Sequence, residues 1–253
     1  MLSKYVSELL EKGERMDGRD FLEWREIEIL PNVIKKAEGS ASVRFGRTHV
    51  IAGVKLEISK PFPDNPNEGI LIVNAEFPPI ASPFFEPGPP DEKAIELARV
   101  IDRMIRESKM IESEKLVIGE EKVWGVFVDI HVMNDAGNLM DAAALASVAA
   151  LLNTKIPKIE EESILRGEYI DKLPVVHKPV MVTLCKIKDK ILIDPTNDEE
   201  EIIESKISFG IREDNVFCAI QKQGKSIPFN MVKQMIDLAL EKSKELRSKL
   251  NAN

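Results

Sequence analysis

A chain of 253 residues with 43% hydrophobic and 31% charged content can bury one large core or two fused small ones, which excludes a disordered or fibrous protein. The net charge of −8 excludes a surface that attracts nucleic acid everywhere, because phosphate binding is driven by Lys and Arg, so any nucleic-acid contact has to be local. No apolar run reaches the roughly eighteen residues of a membrane span, and the opening MLSKYVSELLEKGERMDGR lacks the layout of a signal peptide. The only cysteines, Cys185 and Cys218, lack metal-ligand spacing, which suits a reducing cytoplasm.

Leu2, Tyr5, Val6, Leu9 and Leu10 fall at helical spacing and stop at Gly13, predicting a short amphipathic helix at the start. From Trp24 to Val54 the text is β-type: Glu26 to Leu30 alternate, and His49 to Val54 follow the turn-like Phe45-Gly46-Arg47-Thr48. Gly69 to Phe77 reads as another strand between proline-crowded loops, since proline cannot donate to a central ladder. Asp91 can cap a helix running to about Lys109. A strand from Val123 to Met133 and a glycine turn lead to an Ala-rich helix, about Met140 to Asn153, whose apolar residues on nearly every side make it the central helix of the core. Residues 155–178 read as a charged connection crossing the surface. Antiparallel strands at Pro179–Ile187, Ile191–Asp194, Lys206–Ile211 and Asn215–Gln221 and a last helix from about Asn230 to Leu250 complete an α+β mixed-sheet chain, expected as one domain over 1–253 with the N-terminal helix at 1–13 and the body at 14–253.

The strongest physical signal lies on the helix at 91–109, where Arg99, Arg103 and Arg106 fall at i, i+4 and i+7 opposite an apolar side. Three guanidinium groups on successive turns can follow an RNA backbone. Helix geometry equally allows a solvated face in which Glu96, Asp102 and Glu107 pair with them, the commoner arrangement. The turn Asn134 to Asn138 opens the buried helix, where free amides can hold an anion, though such residues more often form turns and caps. Asp194 and the run Asp198 to Glu201 could take Mg²⁺ or form a solvated loop. Asp129 and His131 share one strand face and read as structural; His49 and His177 are isolated.

Segments in order along nearly the whole chain resemble the RNase PH family, and within it the non-catalytic ring subunit of the archaeal exosome. They are Arg15-Met16-Asp17-Gly18-Arg19, Gly39-Ser40-Ala41, Ala52-Gly53-Val54-Lys55, Pro87-Gly88-Pro89-Pro90-Asp91-Glu92, Ala98 to Arg103 and Asp135-Ala136-Gly137-Asn138. The resemblance implies an RNase PH-like fold, with mixed β-sheets packed on a central buried helix and a C-terminal helix. It also implies a hexameric ring of alternating active and inactive subunits, capped by OB-fold and KH proteins, in which the active partner removes nucleotides from single-stranded RNA by phosphorolysis, with no cofactor or metal held by this chain.

In active members a glycine, then Ser or Thr, then Arg opens the central helix and holds the phosphate; the matching positions here are Gly137, Asn138 and Leu139. An ungapped count from Asp194 places Lys206 where active members carry a catalytic aspartate. Both losses imply a chain that does not catalyse by itself. The family also gives the arginine helix a place facing the partner's cleft, so Arg99 and Arg103 are carried over as RNA contacts, with Arg106 added on geometry. Two alternatives remain open: an active phosphorolytic exoribonuclease using Glu204 or Asp198 as the acid with Arg99 or Arg103 on phosphate, and a metal-dependent small-molecule enzyme using the 194–201 carboxylates.

Overall fold

The computed structural model describes residues 2–161 and 163–251; Met1, Glu162, Ala252 and Asn253, which fall within the expected span 1–253, lie outside the described residues. The first sheet has the order β1 (Ile27–Pro31), β2 (Gly39–Phe45), β3 (Thr48–Ser59), β6 (Lys122–Asn134), β4 (Ile70–Glu76), with the short β5 (Val117–Gly119) also on β6. It is mixed, because β4 runs parallel to β6 while the other pairs are antiparallel. The second sheet is antiparallel, in the order β10 (Lys190–Ile193), β9 (Val180–Ile187), β11 (Ser205–Ile211), β12 (Phe217–Gly224).

Three helices touch both sheets. α3 (Leu139–Leu152) packs on β2, β3 and β6 on one side and β9 on the other, α2 (Glu92–Glu107) on β4 and β12, and α5 (Phe229–Asn251) on β9, β11 and β1. Lying between sheets explains why α3 has no polar stripe: every residue from Asp141 to Leu151 is buried, so each side needs an apolar or small side chain. The main hydrophobic cluster is continuous across the sheets, from Val43 and Phe45 through Leu145 and Val148 to Val182 and Phe209. A satellite cluster of Val6, Leu10, Cys185, Ile187 and Leu192 docks α1 (Leu2–Lys12) beside β9 and β10.

The helix expected after Asp91 starts there for the expected reason: Asp91 has extended backbone and its side chain accepts from the Ala94 amide at 2.8 Å. One expectation is corrected. Residues 155–178 are not a plain surface connection, because β7 (Lys155–Glu160) and β8 (Ser163–Lys172) form an antiparallel ribbon. Pro157 is tolerated because the register shifts on either side of it, and β8 is charged because most of it faces solvent. The ribbon is tied down by Arg166, which reaches the buried Glu38 at 2.9 Å and Glu57 at 2.6 Å.

Candidate nucleic-acid interface

The apolar side of α2, with Ala94, Leu97, Ala98, Ile101, Met104 and Ile105 buried, fixes which side of the helix meets solvent. Arg99, Arg103 and Arg106 are all exposed on that side. Arg106 is engaged: it bonds both oxygens of Asp102 at 2.8 and 3.3 Å and donates to the Leu71 carbonyl at 3.0 Å. Among the described residues Glu96 pairs with no arginine; Gln221 and Gln223 of β12 donate to its two oxygens. No described residue forms a hydrogen bond or ion pair with Arg99 or Arg103. Two like charges one turn apart repel by about 0.2–0.5 kcal/mol. The solvated-face arrangement is therefore made by Arg106 alone, and Arg99 and Arg103 keep all their donors available for phosphate oxygens.

The turn that opens α3 is occupied by groups of this chain. Gly137 has φ +92°, and a Cβ there would come within 2.4 Å of the Pro195 carbonyl, so only glycine lets the 195–197 backbone approach. That approach brings the acidic segment onto the turn. The Gly137 amide donates to Asp135 at 3.0 Å and the Asn138 amide to the Glu200 carboxylate at 3.1 Å. Glu200 also faces Lys206 on β11 at 3.9 Å. A carboxylate of this chain thus sits at the amide of the turn, and Lys206, the residue counted onto the catalytic aspartate position, lies within ion-pair reach of it. The Gly137 carbonyl is taken by Thr48 Oγ1 at 2.7 Å and Arg25 at 3.0 Å. Asn138 is the N-cap residue as its type suggested, but its side chain donates to Asp194 at 3.0 Å instead of capping the helix.

The carboxylates of 194–201 do not converge on a common point. Asp194 is buried and accepts from Arg25 at 2.7 Å, Arg19 at 3.0 Å and Asn138. Burial alone would raise its pKa; the hydrogen bond and charge of Arg25 override it and hold the carboxyl below the usual range. Glu199 receives both prongs of the buried Arg15 at 2.7 and 2.8 Å and the Thr196 amide. Glu204, offered above as a substitute acid, is held by Lys186. No group of three or more His, Cys, Asp or Glu side chains among the described residues is arranged to hold a metal. Arg19 and Arg25 instead line an open cleft of about 660 Å³ with Asp17, Arg47, Asp135 and Asp198. Sequence reasoning missed this cluster of Arg15, Arg19 and Arg25 on Asp194 and Glu199; its only advance signal was a basic segment and an acidic segment of opposite sign.

Asp129 and His131 share a face as expected but each pairs across to β4, Asp129 with Asn74 at 3.3 Å and His131 with Glu76 at 3.3 Å. His49 meets Ser42 at 2.8 Å and His177 meets Glu213 at 2.7 Å. The remaining buried acid is Asp141 in the first turn of α3. It accepts from the Thr183 hydroxyl at 2.6 Å and the Thr183 amide at 2.9 Å, linking α3 to the second sheet. Its complete burial pushes its pKa up to about 7 despite those bonds. A carboxyl whose folded pKa is raised favours the fold while both states hold the proton. That contribution declines as pH rises from about 4, where the unfolded acid ionises, to about 7. Urea unfolding of Asp141→Asn over this range is expected to lose the decline; an unchanged slope would mean that other groups cause it.

The two-sheet fold around a buried helix, with a glycine turn at that helix's N-terminus and an arginine-bearing helix beside it, is that of RNA-processing RNase PH proteins. The chain belongs to this 3′ exoribonuclease family, whose domain 1 pattern matches residues 23–157 and whose domain 2 pattern matches residues 177–242. The exosome complex component Rrp42 of Thermococcus gammatolerans is 50% identical over 96% of this chain and 91% of its own length. The Rrp42 component of Archaeoglobus fulgidus is 48% identical over 97% of this chain and 94% of its own. Among solved structures, a chain of the Archaeoglobus fulgidus exosome with RNA bound to the active site superposes with a TM-score of 0.92 at 47% identity, covering 98% of this chain and 97% of that one. A chain of an archaeal exosome core gives 0.89 at 44% identity, covering 99% and 96%.

Proposed function

We propose that the chain is the non-catalytic, RNA-holding subunit of an archaeal exosome ring that degrades RNA from its 3′ end by phosphorolysis. Its relatives are exosome components, and one superposable structure is an exosome with RNA at the active site. The observation that carries the non-catalytic part is the Glu200 carboxylate on the Asn138 amide, with Lys206 within ion-pair reach. Phosphate entering there would meet a like charge and find Leu139 where a cation is needed to neutralise it. Arg99 and Arg103 supply the RNA-holding part. Phosphate contacts of this kind position a strand without reading its sequence, so binding is sequence-tolerant and weakens with salt.

In this reading the partners are an active RNase PH-like subunit alternating with this chain in a hexamer, OB-fold or KH-type cap proteins, and single-stranded RNA, in the cytoplasm. The non-catalytic part is tested by titrating inorganic phosphate onto the chain and following the Asn138 amide by nitrogen-15 NMR. No saturable shift is expected at millimolar phosphate. A saturable shift of Asn138 and its neighbours would show an open phosphate site and return the active-enzyme alternative.

A further inference from the structure

On a helix, side chains three apart are neighbours, so Arg99 has an acid on each side of it: Glu96 one turn before and Asp102 one turn after. Either carboxylate could fill the guanidinium's donors, and both are turned elsewhere. Glu96 accepts from Gln221 Nε2 at 2.6 Å on one oxygen and from Gln223 Nε2 at 2.5 Å on the other. The two glutamines lie two residues apart on β12, an outer strand of its sheet, so they point to the same side and grip one carboxylate together. Asp102 is gripped on both oxygens by Arg106, which is itself anchored to the Leu71 carbonyl at 3.0 Å.

We propose that Gln221 and Gln223, together with Arg106, are positioning residues that divert the two acidic neighbours of Arg99 and so keep its guanidinium unpaired for RNA phosphate. The inference rests on the RNA-holding role proposed above and deepens it. Glutamine suits the task because its amide donates to a carboxylate without adding a competing cation beside the arginine stripe. Arg106 then acts through Asp102, which distinguishes it from Arg99 and Arg103.

The test uses the ring assembled with its active partner. Gln221→Met with Gln223→Met removes the amide donors at similar volume. It is expected to lower affinity for single-stranded RNA by about 2- to 10-fold, between the effect of one exposed ion pair and that of one charged hydrogen bond, with a shallower salt dependence. Adding Glu96→Gln to that double variant is expected to restore both, because no carboxylate then remains to capture Arg99. Affinity lost and not restored by Glu96→Gln overturns the proposal, as does affinity unchanged in the double variant while removal of the Arg99 and Arg103 side chains lowers it. Arg99→Ala with Arg103→Ala is measured in parallel. If that variant also leaves RNA affinity unchanged, the RNA-holding role has failed, and the diversion is judged by phenylglyoxal modification of Arg99 in the RNA-free ring. Modification slowed by the methionines and restored by Glu96→Gln supports it; an unchanged rate overturns it.

Discussion

Replacing Arg99 and Arg103 together by glutamate is expected to weaken binding of single-stranded RNA to the assembled ring by at least about 100-fold. Each arginine offers a charge-assisted hydrogen bond worth about 1.5–3 kcal/mol, and about 1.4 kcal/mol corresponds to tenfold in affinity. Charge reversal adds repulsion on top. The slope of log affinity against log salt should also become shallower by about 1.4, since each neutralised phosphate on a single strand contributes about 0.7. The fold should tolerate the change, because both side chains are exposed and neither has a partner among the described residues. Fluorescence anisotropy over a salt series reads both quantities. Affinity and slope equal to wild type would make the stripe a solvated face.

Asp194→Ala is expected to destabilise the chain by about 3–5 kcal/mol, the effect of leaving a buried charge, that of Arg25, without its counter-ion. Asp194 is fully buried, Arg19 and Arg25 are about one-tenth exposed, and both arginines point at it. Arg25 would keep only the Thr48 hydroxyl and the Ala136 and Gly137 carbonyls, which cannot replace the charge, whereas Arg19 would keep the Asp17 carboxylate at 2.8 Å. The same deletion frees the Asn138 side chain and loosens the entry to α3. Because the folded pKa of Asp194 is depressed, its contribution is present at neutral pH and is lost only as pH falls through that folded value, below the ordinary range near 4. Thermal unfolding at pH 7 should show a drop on the order of 10 °C for a chain of this size. A drop under about 2 °C would mean that water already screens the cluster.

What was legible in the sequence follows from how local each signal is. The capped start of α2 needs only Asp91 and the next turn, and the burial of α3 needs only its own composition, so both were read correctly. The ribbon at 155–172 escaped because Pro157 and two register shifts break its alternation, and because an exposed ribbon carries the charges of a loop. At the interface, the arginine spacing on α2 was visible, but the fate of its acidic neighbours was not. Gln221 and Gln223 capture Glu96 from a strand more than a hundred residues away. The turn before α3 divides in the same way. Gly137, Asn138, Leu139 and Lys206 were found through the family resemblance, whereas the Glu200 carboxylate on the Asn138 amide depends on a backbone approach that only the fold reveals.

The most direct test of the central claim is phosphate-dependent release of nucleoside diphosphates from RNA by this chain alone, by an active RNase PH-like partner alone and by the two mixed, with particle mass followed by light scattering. The account predicts no release from this chain by itself and release from the mixture in a particle of about six subunits. Release by this chain alone would contradict it, and would mean that neither the Glu200 carboxylate at Asn138 nor Lys206 keeps phosphate chemistry out.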